Sequence, residues 1–263
     1  MPPVVAIDFL PESALRYGPG WAVVAVDVIR ATTTAVTAAT LGRRCFPVPS
    51  IEAALPVAAV LDRPVLCGEL GGNMPYGFEI TNSPVAVSAL DPSDRPLILL
   101  SSSGTQLIHN AAGADAVYAG CLRNFTALIR YLATRHERVA VIGAGTRGEF
   151  REEDQRCCAL IAEGLGEHGF ALADELTAQT LRRWRGAPVD GWQESRSVEY
   201  LRRSGQLHDL DFILAHLDDV GSVHEIAEGE VVAAGAGDER QRPRRPIRMP
   251  WLNDAARSRG VQE

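Results

Sequence analysis

Short apolar runs rich in β-branched residues alternate along the chain with Ala- and Leu-rich stretches of helical spacing. That alternation predicts an α/β fold with a mostly parallel sheet. Residues 23–26 form the first clear strand, apolar at consecutive positions as a strand covered on both faces should be. It ends at Asp27, after which Thr32, Thr33 and Thr34 lead into a small-residue helix that stops near Gly42. Residues 46–48 read as a second strand followed by a helix over 51–61, and residues 65–67 as a third that ends at Gly68 and Glu69. Residues 96–100 run into Ser101, Ser102, Ser103, Gly104 and Thr105 before a helix. Residues 117–119 repeat that design, running through Gly120, Cys121, Leu122, Arg123 and Asn124 into a helix over 125–135. Residues 139–142 lead into Gly143, Ala144 and Gly145, with a helix over 153–165. Helical spacing returns over 173–185 and, with breaks, over 197–217, and 230–232 is a late strand. Residues 70–84 form a Gly-, Asn- and Pro-rich loop, long enough for a compact domain to suggest function. One domain is expected over residues 1–235, with an Arg-, Pro- and Gly-rich tail over 236–263 that reads as solvated extended chain.

Composition narrows the chemistry. The chain has 263 residues and a formal net charge of −7, a poor footprint for nonspecific nucleic-acid binding. It contains no lysine, so all 26 basic residues are arginine. Schiff-base chemistry and a P-loop lysine are excluded, and any bound anion must be held by Arg, backbone N–H groups, hydroxyls or a metal ion. The five cysteines, Cys45, Cys67, Cys121, Cys157 and Cys158, include no C-x-x-C pair and are neither a disulfide framework nor a zinc ribbon. Of these only Cys121, at a strand end, is a candidate reactive thiol. The first residues lack a charged and apolar leader, and no apolar stretch approaches the roughly 18 residues of a membrane span. A cytoplasmic, reduced protein is therefore expected, without a membrane or nucleic-acid partner. A homodimer is expected because most soluble oligomers are two-fold dimers.

The polar residues collect at the carboxyl ends of the strands, where open α/β sheets bind ligands and helix N-termini present free N–H groups. Asp27, Arg30, Thr32 and Thr33 follow one strand, Glu69 another, and Ser101 to Thr105 a third; Asn124 and the run Glu152, Glu153, Asp154 follow two more. Arg30 offers a fork for a phosphate or carboxylate. Asp27, Glu69 and Asp154 repel an anion unless a divalent cation lies between, and magnesium accepts one or two carboxylates, several waters and a phosphate oxygen. A metal-bridged phosphate is the arrangement such a set suggests. Gly143 to Gly148 satisfies G-x-G-x-x-G, but Glu149, Glu152, Glu153 and Asp154 follow where a pyrophosphate would lie, and the stretch 157–169 is helical rather than a second strand. His208, His216 and His224 are spaced by eight, but Gly221 interrupts the helix that would align them into a metal-binding face.

These segments resemble the magnesium-dependent 2-phosphosulfolactate phosphatases, the ComB family. The resemblance rests on Val26 to Thr34, Gly68 to Gly72, Gly77 to Pro84 with its Asn82-Ser83-Pro84, Ser101 to Thr105, Gly120 to Asn124, and Gly143 to Asp154. It implies a three-layer α/β/α hydrolase that removes phosphate from a 2-phospho-2-hydroxy acid with magnesium, in the family's named reaction on the route to coenzyme M. With the strand-end carboxylates, it leads to the expectation that Asp27, Glu69 and Asp154 hold magnesium directly or through waters and act as catalytic groups with Arg30. Arg30, Thr32, Thr33, Ser101, Ser102, Ser103, Gly104 and Thr105 would grip the phosphoryl oxygens, while Asn82 and Asn124 orient loop and substrate. Leu70 stands where the family usually has Arg, and Ser103 where it tends to have Asn. Water attack and a covalent Asp27 nucleophile both remain open; the second Asp of haloacid-dehalogenase-type phosphatases is absent, since position 29 is Ile. A non-catalytic metabolite-binding protein and a phosphoryl transferase are the alternatives.

Overall fold

The computed structural model describes residues 2–91, 95–146 and 148–235. The Arg-rich tail expected over 236–263 and Arg147 of the glycine motif lie outside the described residues. Among the described residues ten strands form one mixed sheet: β1 (Val4–Phe9), β2 (Ala22–Val26), β3 (Cys45–Val48), β4 (Val65–Gly68), β5 (Leu97–Leu100), β6 (Ala116–Gly120), β7 (Arg138–Gly143), β8 (Ala171–Leu172), β9 (His224–Ala227) and β10 (Glu230–Ala233). The helices are α1 (Ala31–Thr40), α2 (Ile51–Val60), α3 (Pro84–Ser88), α4 (Gly104–Asn110), α5 (Phe125–Ala133), α6 (Glu152–Glu167), α7 (Glu175–Trp184), α8 (Arg196–Arg203) and α9 (Leu207–Ala215). Among the described residues no helix is long and apolar enough to cross a membrane.

The strand order is β4-β5-β3-β10-β9-β6-β2-β7-β1-β8. It holds two parallel blocks, β4-β5-β3 and β6-β2-β7-β1-β8, as the alternation of apolar runs and helices predicts. Between them sits the antiparallel hairpin β9–β10. The periodicity does not foresee this insertion, because a hairpin's partners are set by the sheet and not by its own residues. A single residue pair, Val231 with Cys45, joins β10 to β3. The strand at Val4–Phe9 also goes unread in the pattern, being a short run between prolines and Asp8.

Alternate residues of each strand enter different cores, as period-two side-chain geometry requires. Val5, Ile7, Val24, Val26, Val139 and Val141 pack beneath α5, α6 and the α7–α9 segment, while Ala6, Val23, Ala25, Ala140 and Ile142 face the opposite layer with α4. The smaller block divides likewise: Cys45, Leu97 and Leu99 lie with α1 and α3, and Phe46, Ile98 and Leu100 with α2. The result is a three-layer α/β/α fold. Serine and aspartate side chains set several helix starts: Ser50, Ser83, Asp174 and Ser195 each accept a backbone N–H from the first turn.

Candidate active site

The carboxyl ends of β2 and β7, from one block, and of β4 and β5, from the other, meet around the first turn of α1. Asp27 leaves β2 and is almost wholly buried. The Ser101 hydroxyl after β5 donates to Asp27 Oδ2 at 3.5 Å. A Cβ added to Gly104 would lie 2.3 Å from Asp27 Oδ2 and 2.5 Å from Ala31 Cβ, so only glycine lets this loop approach so closely. Asp154, in the first turn of α6, spends Oδ1 on the Val28 N–H (2.7 Å) and Oδ2 on the Gly145 N–H (3.4 Å). The glycine motif thus turns the Gly145 N–H toward the protein's own carboxylate. Glu69 accepts the Ser102 N–H (2.7 Å) at Oε1, and the Ser102 hydroxyl (3.0 Å) and Gly72 N–H (2.8 Å) at Oε2.

These carboxylates act on one another. Burial, then the Glu69 carboxylate, pushes the Asp27 carboxyl up to about 7; Glu153 adds to this, and the Ala31 N–H and Arg30 oppose it. Asp154 is raised well above the ordinary range by burial and by Asp27. Glu153 is raised by burial. Both its oxygens lack a hydrogen-bond partner of good geometry among the described residues, although the Ser195 and Ser197 hydroxyls lie near enough to favour its charged form. Asp27, Glu69 and Asp154 therefore share one electrostatic neighbourhood. They do not form a ready-made coordination shell: among the described residues no three Asp, Glu, His or Cys side chains converge as metal ligands, because Glu69 and Asp154 are turned onto backbone N–H groups.

Arg30 lies at the start of α1, after a cis Ile29–Arg30 peptide, and is 4% exposed. Its Nη1 donates to Asp209 Oδ2 at 2.5 Å and to Gln206 Oε1, both from the α9 region. Its Nε and Nη2 bond no described residue, yet are not sealed from solvent. Asn82 is buried with Oδ1 unpartnered. The Ser103 hydroxyl caps nothing and borders a cavity of about 250 Å³ shared with Ser102, Gln106 and Thr146.

Other expected site residues have their polar groups committed to structure. Thr32 Oγ1 accepts the Asp27 N–H (2.8 Å) and lies 2.7 Å from the Gly120 carbonyl, and the Thr33 hydroxyl donates to the Val28 carbonyl (2.9 Å). The threonines thus build the turn that carries Asp27 instead of presenting hydroxyls to a ligand. Thr105 and Ser101 close a reciprocal loop, the Ser101 N–H donating to Thr105 Oγ1 (3.0 Å) and the Thr105 hydroxyl to the Ser101 carbonyl (2.8 Å). Asn124 has no exposed surface: its Oδ1 accepts the Cys121 N–H (3.0 Å) and its Nδ2 donates to the Ala119 carbonyl (3.1 Å). Orienting a substrate is closed to it. Cys121 is buried and its thiol is pushed up to about 11, so it stays protonated and inert. His224 sits on β9, away from α9, with burial driving its imidazole down to about 4, so no histidine face exists.

Sequence patterns place Glu153 and Ser83 in the strand-end run and the 77–84 block without a role of their own, and miss Asp209, Gln206 and Tyr200, which contact these loops. Glu153 carries a signal, its place beside Asp154; Asp209 carries none, being 179 residues from Arg30. The Tyr200 hydroxyl donates to the Gly72 carbonyl (2.6 Å), so α8 also reaches the loop that holds Glu69.

This assembly of strand-end carboxylates with a half-committed arginine coincides with a match over residues 9–228 to the family described as 2-phosphosulpholactate phosphatase. The chain belongs to that family. A "Probable 2-phosphosulfolactate phosphatase" of Deinococcus radiodurans is 35% identical over 235 residues, 88% of this chain and 96% of that protein. One of Symbiobacterium thermophilum is 35% identical over 222 residues, covering 81% and 94%. One of Carboxydothermus hydrogenoformans is 35% identical over 231 residues, covering 87% and 96%. The match runs from the end of β1 through β9 and includes the α7–α9 segment, so within this 2-phosphosulpholactate phosphatase family member Arg30 and Asp209 lie in the same matched region.

Proposed function

We propose that the chain is a magnesium-dependent phosphatase that hydrolyses the phosphate monoester of a 2-phospho-2-hydroxy acid, with 2-phosphosulfolactate the first candidate. Family membership supports the reaction class. The observation that carries the reading to named atoms is the pairing of Asp27 with Arg30. Both sit on one turn and both are nearly buried, and Arg30 Nε and Nη2 bond no described residue.

Four carboxylates, Asp27, Glu69, Glu153 and Asp154, gather here, and Arg30 is already paired with Asp209. Buried negative charge without equal positive charge is costly unless protonated or met by a cation. The donor set therefore fits a divalent cation that keeps most of its waters, and Asp27, with Asp154 and Glu69 through water, would hold it. When bound, magnesium supplies positive charge that lets a phosphate dianion enter beside carboxylates.

Phosphate-monoester hydrolysis is so slow uncatalysed that accelerations approach ~10²¹, so positioning must be exact in charge and distance. Arg30 Nε and Nη2 grip phosphoryl oxygens, assisted by the Ser103 hydroxyl and the Asn82 amide. Asp27 orients the attacking water. The new P–O bond forms to that water as the ester P–O bond breaks; one water proton stays on the phosphate and the other passes through Asp27 to the departing alkoxide, which leaves as the 2-hydroxy acid. Glu69 holds the 70–72 segment against Ser102, keeping the far wall of the cleft in place. The test is inorganic-phosphate release from a panel of 2-phospho-2-hydroxy acids with magnesium and with excess EDTA. Metal-dependent release is expected; no release from any ester by folded, magnesium-equilibrated protein would overturn the reading in favour of a binding protein.

A further inference from the structure

We propose that Asp209 is a positioning residue of the anion site: it fixes the Arg30 guanidinium so that Nε and Nη2 face the phosphate. The proposal rests on the assignment of Arg30 as the phosphoryl grip. Asp209 lies on α9, has no exposed surface, and places each carboxylate oxygen on a different neighbour of the cleft. Oδ2 accepts Arg30 Nη1 at 2.5 Å. Oδ1 accepts the Ser83 hydroxyl at 2.5 Å and the Val85 N–H at 3.4 Å. One side chain thereby ties α9 to the start of α1 and to the start of α3, next to Asn82.

The geometry explains why a buried carboxylate belongs there. A guanidinium is planar, so anchoring Nη1 fixes the direction of its other N–H groups. Gln206 Oε1 takes a second Nη1 hydrogen, which leaves Nε and Nη2 for a ligand. A salt bridge this deeply buried gives little net stability, because desolvation offsets the attraction. An orienting role gives the pair a function that stability does not. Asp209 also offsets the Arg30 charge, so a bound phosphate need not be held by an uncompensated cation and product can leave. Ser83 in turn keeps Asp209 oriented while its Oγ caps α3 through the Ala86 N–H (3.0 Å).

The experiment measures binding of inorganic phosphate by calorimetry in magnesium buffer, beside KM, kcat and melting temperature. The proteins are wild type, Asp209→Asn, Arg30→Ala and the double variant. Asp209→Asn is expected to weaken phosphate binding and raise KM together by about tenfold, the cost of re-ordering a long side chain. The double variant should bind no more weakly than Arg30→Ala alone, since the two residues act as one unit. Ser83→Ala and Gln206→Leu should shift phosphate binding in the same direction by about threefold, and they carry the test if Asp209→Asn does not fold. Unchanged phosphate binding in Asp209→Asn despite a lower melting temperature, or a loss that adds in full to that of Arg30→Ala, would overturn the proposal. So would wild-type protein that binds no phosphate. Phosphate binding that depends on Asp209 in a protein that hydrolyses no ester would uphold the positioning role while removing the phosphatase reading.

Discussion

The turns that follow β2 and β6 begin on paired neighbouring strands of one block, and they use their polar residues in opposite ways. After β6, Asn124 spends both ends of its amide on its own loop, and Arg123 forms a two-pronged pair with Asp219 while Nη1 meets Thr37. After β2, the Thr32 and Thr33 hydroxyls are equally committed, but Thr34 Oγ1 has no partner among the described residues and Arg30 Nε and Nη2 bond none of them. A polar residue at the carboxyl end of a strand is thus a candidate by position only. What makes a site is which donors and acceptors remain after the backbone turn has been satisfied.

The sharpest way to break this contrast is at Asp27. Asp27→Asn keeps the side chain's shape and removes its charge; turnover should fall by on the order of 10³-fold or more, by analogy with the loss of a single charge-stabilising group. A steady-state assay of phosphate release checks it, and retained turnover would move the chemistry elsewhere. Gly104→Ala comes next. Its added methyl would overlap Asp27 Oδ2 and Ala31 Cβ, and should cost about 1–3 kcal/mol of stability, as overpacking does. Activity should fall as well because Asp27 is displaced, and denaturant melts beside kinetics would show both.

A third test uses protons. With its carboxyl raised to about 7, Asp27 holds a proton in the folded protein over pH values where the unfolded chain, near 3.8, has lost it. The folded state then binds more protons, so its stability falls as pH rises from about 4 through about 7. Magnesium should flatten that fall by favouring the ionised carboxylate. Melting temperature against pH, with and without magnesium, reads the effect; a metal-independent curve would separate Asp27 from any cation. The smallest functional effect belongs to the β6 turn. Asn124→Ala should cost about 1–3 kcal/mol through unpaired backbone groups while leaving KM near the wild-type value. Melts and Michaelis constants measured together would show it.

The sheet's parallel blocks, apart from β1 and β8, and the strand-end residues were legible in the sequence, because apolar runs and helical spacing are local properties. Asp27, Arg30, Glu69, Ser101 and Asp154 do come together, as their common place at strand ends suggests. The fate of each hydroxyl and amide was not legible. Whether Thr32 meets a ligand or the Gly120 carbonyl depends on a neighbouring strand 88 residues away. The late strand at 230–232 was legible, but its hairpin partner β9, its place between the blocks and the role of Asp209 were not: the partners, Cys45 and Arg30, lie far off along the chain, and no local pattern encodes them.

The most direct test of the account compares phosphate release from a 2-phospho-2-hydroxy acid, with magnesium, by wild type, Asp27→Asn and Asn124→Ala. The β2 turn as the chemical centre predicts metal-dependent release by wild type, near-complete loss in Asp27→Asn, and release by folded Asn124→Ala at close to the wild-type rate. Equal losses in the two variants at equal folding, or release untouched by Asp27→Asn, would contradict it.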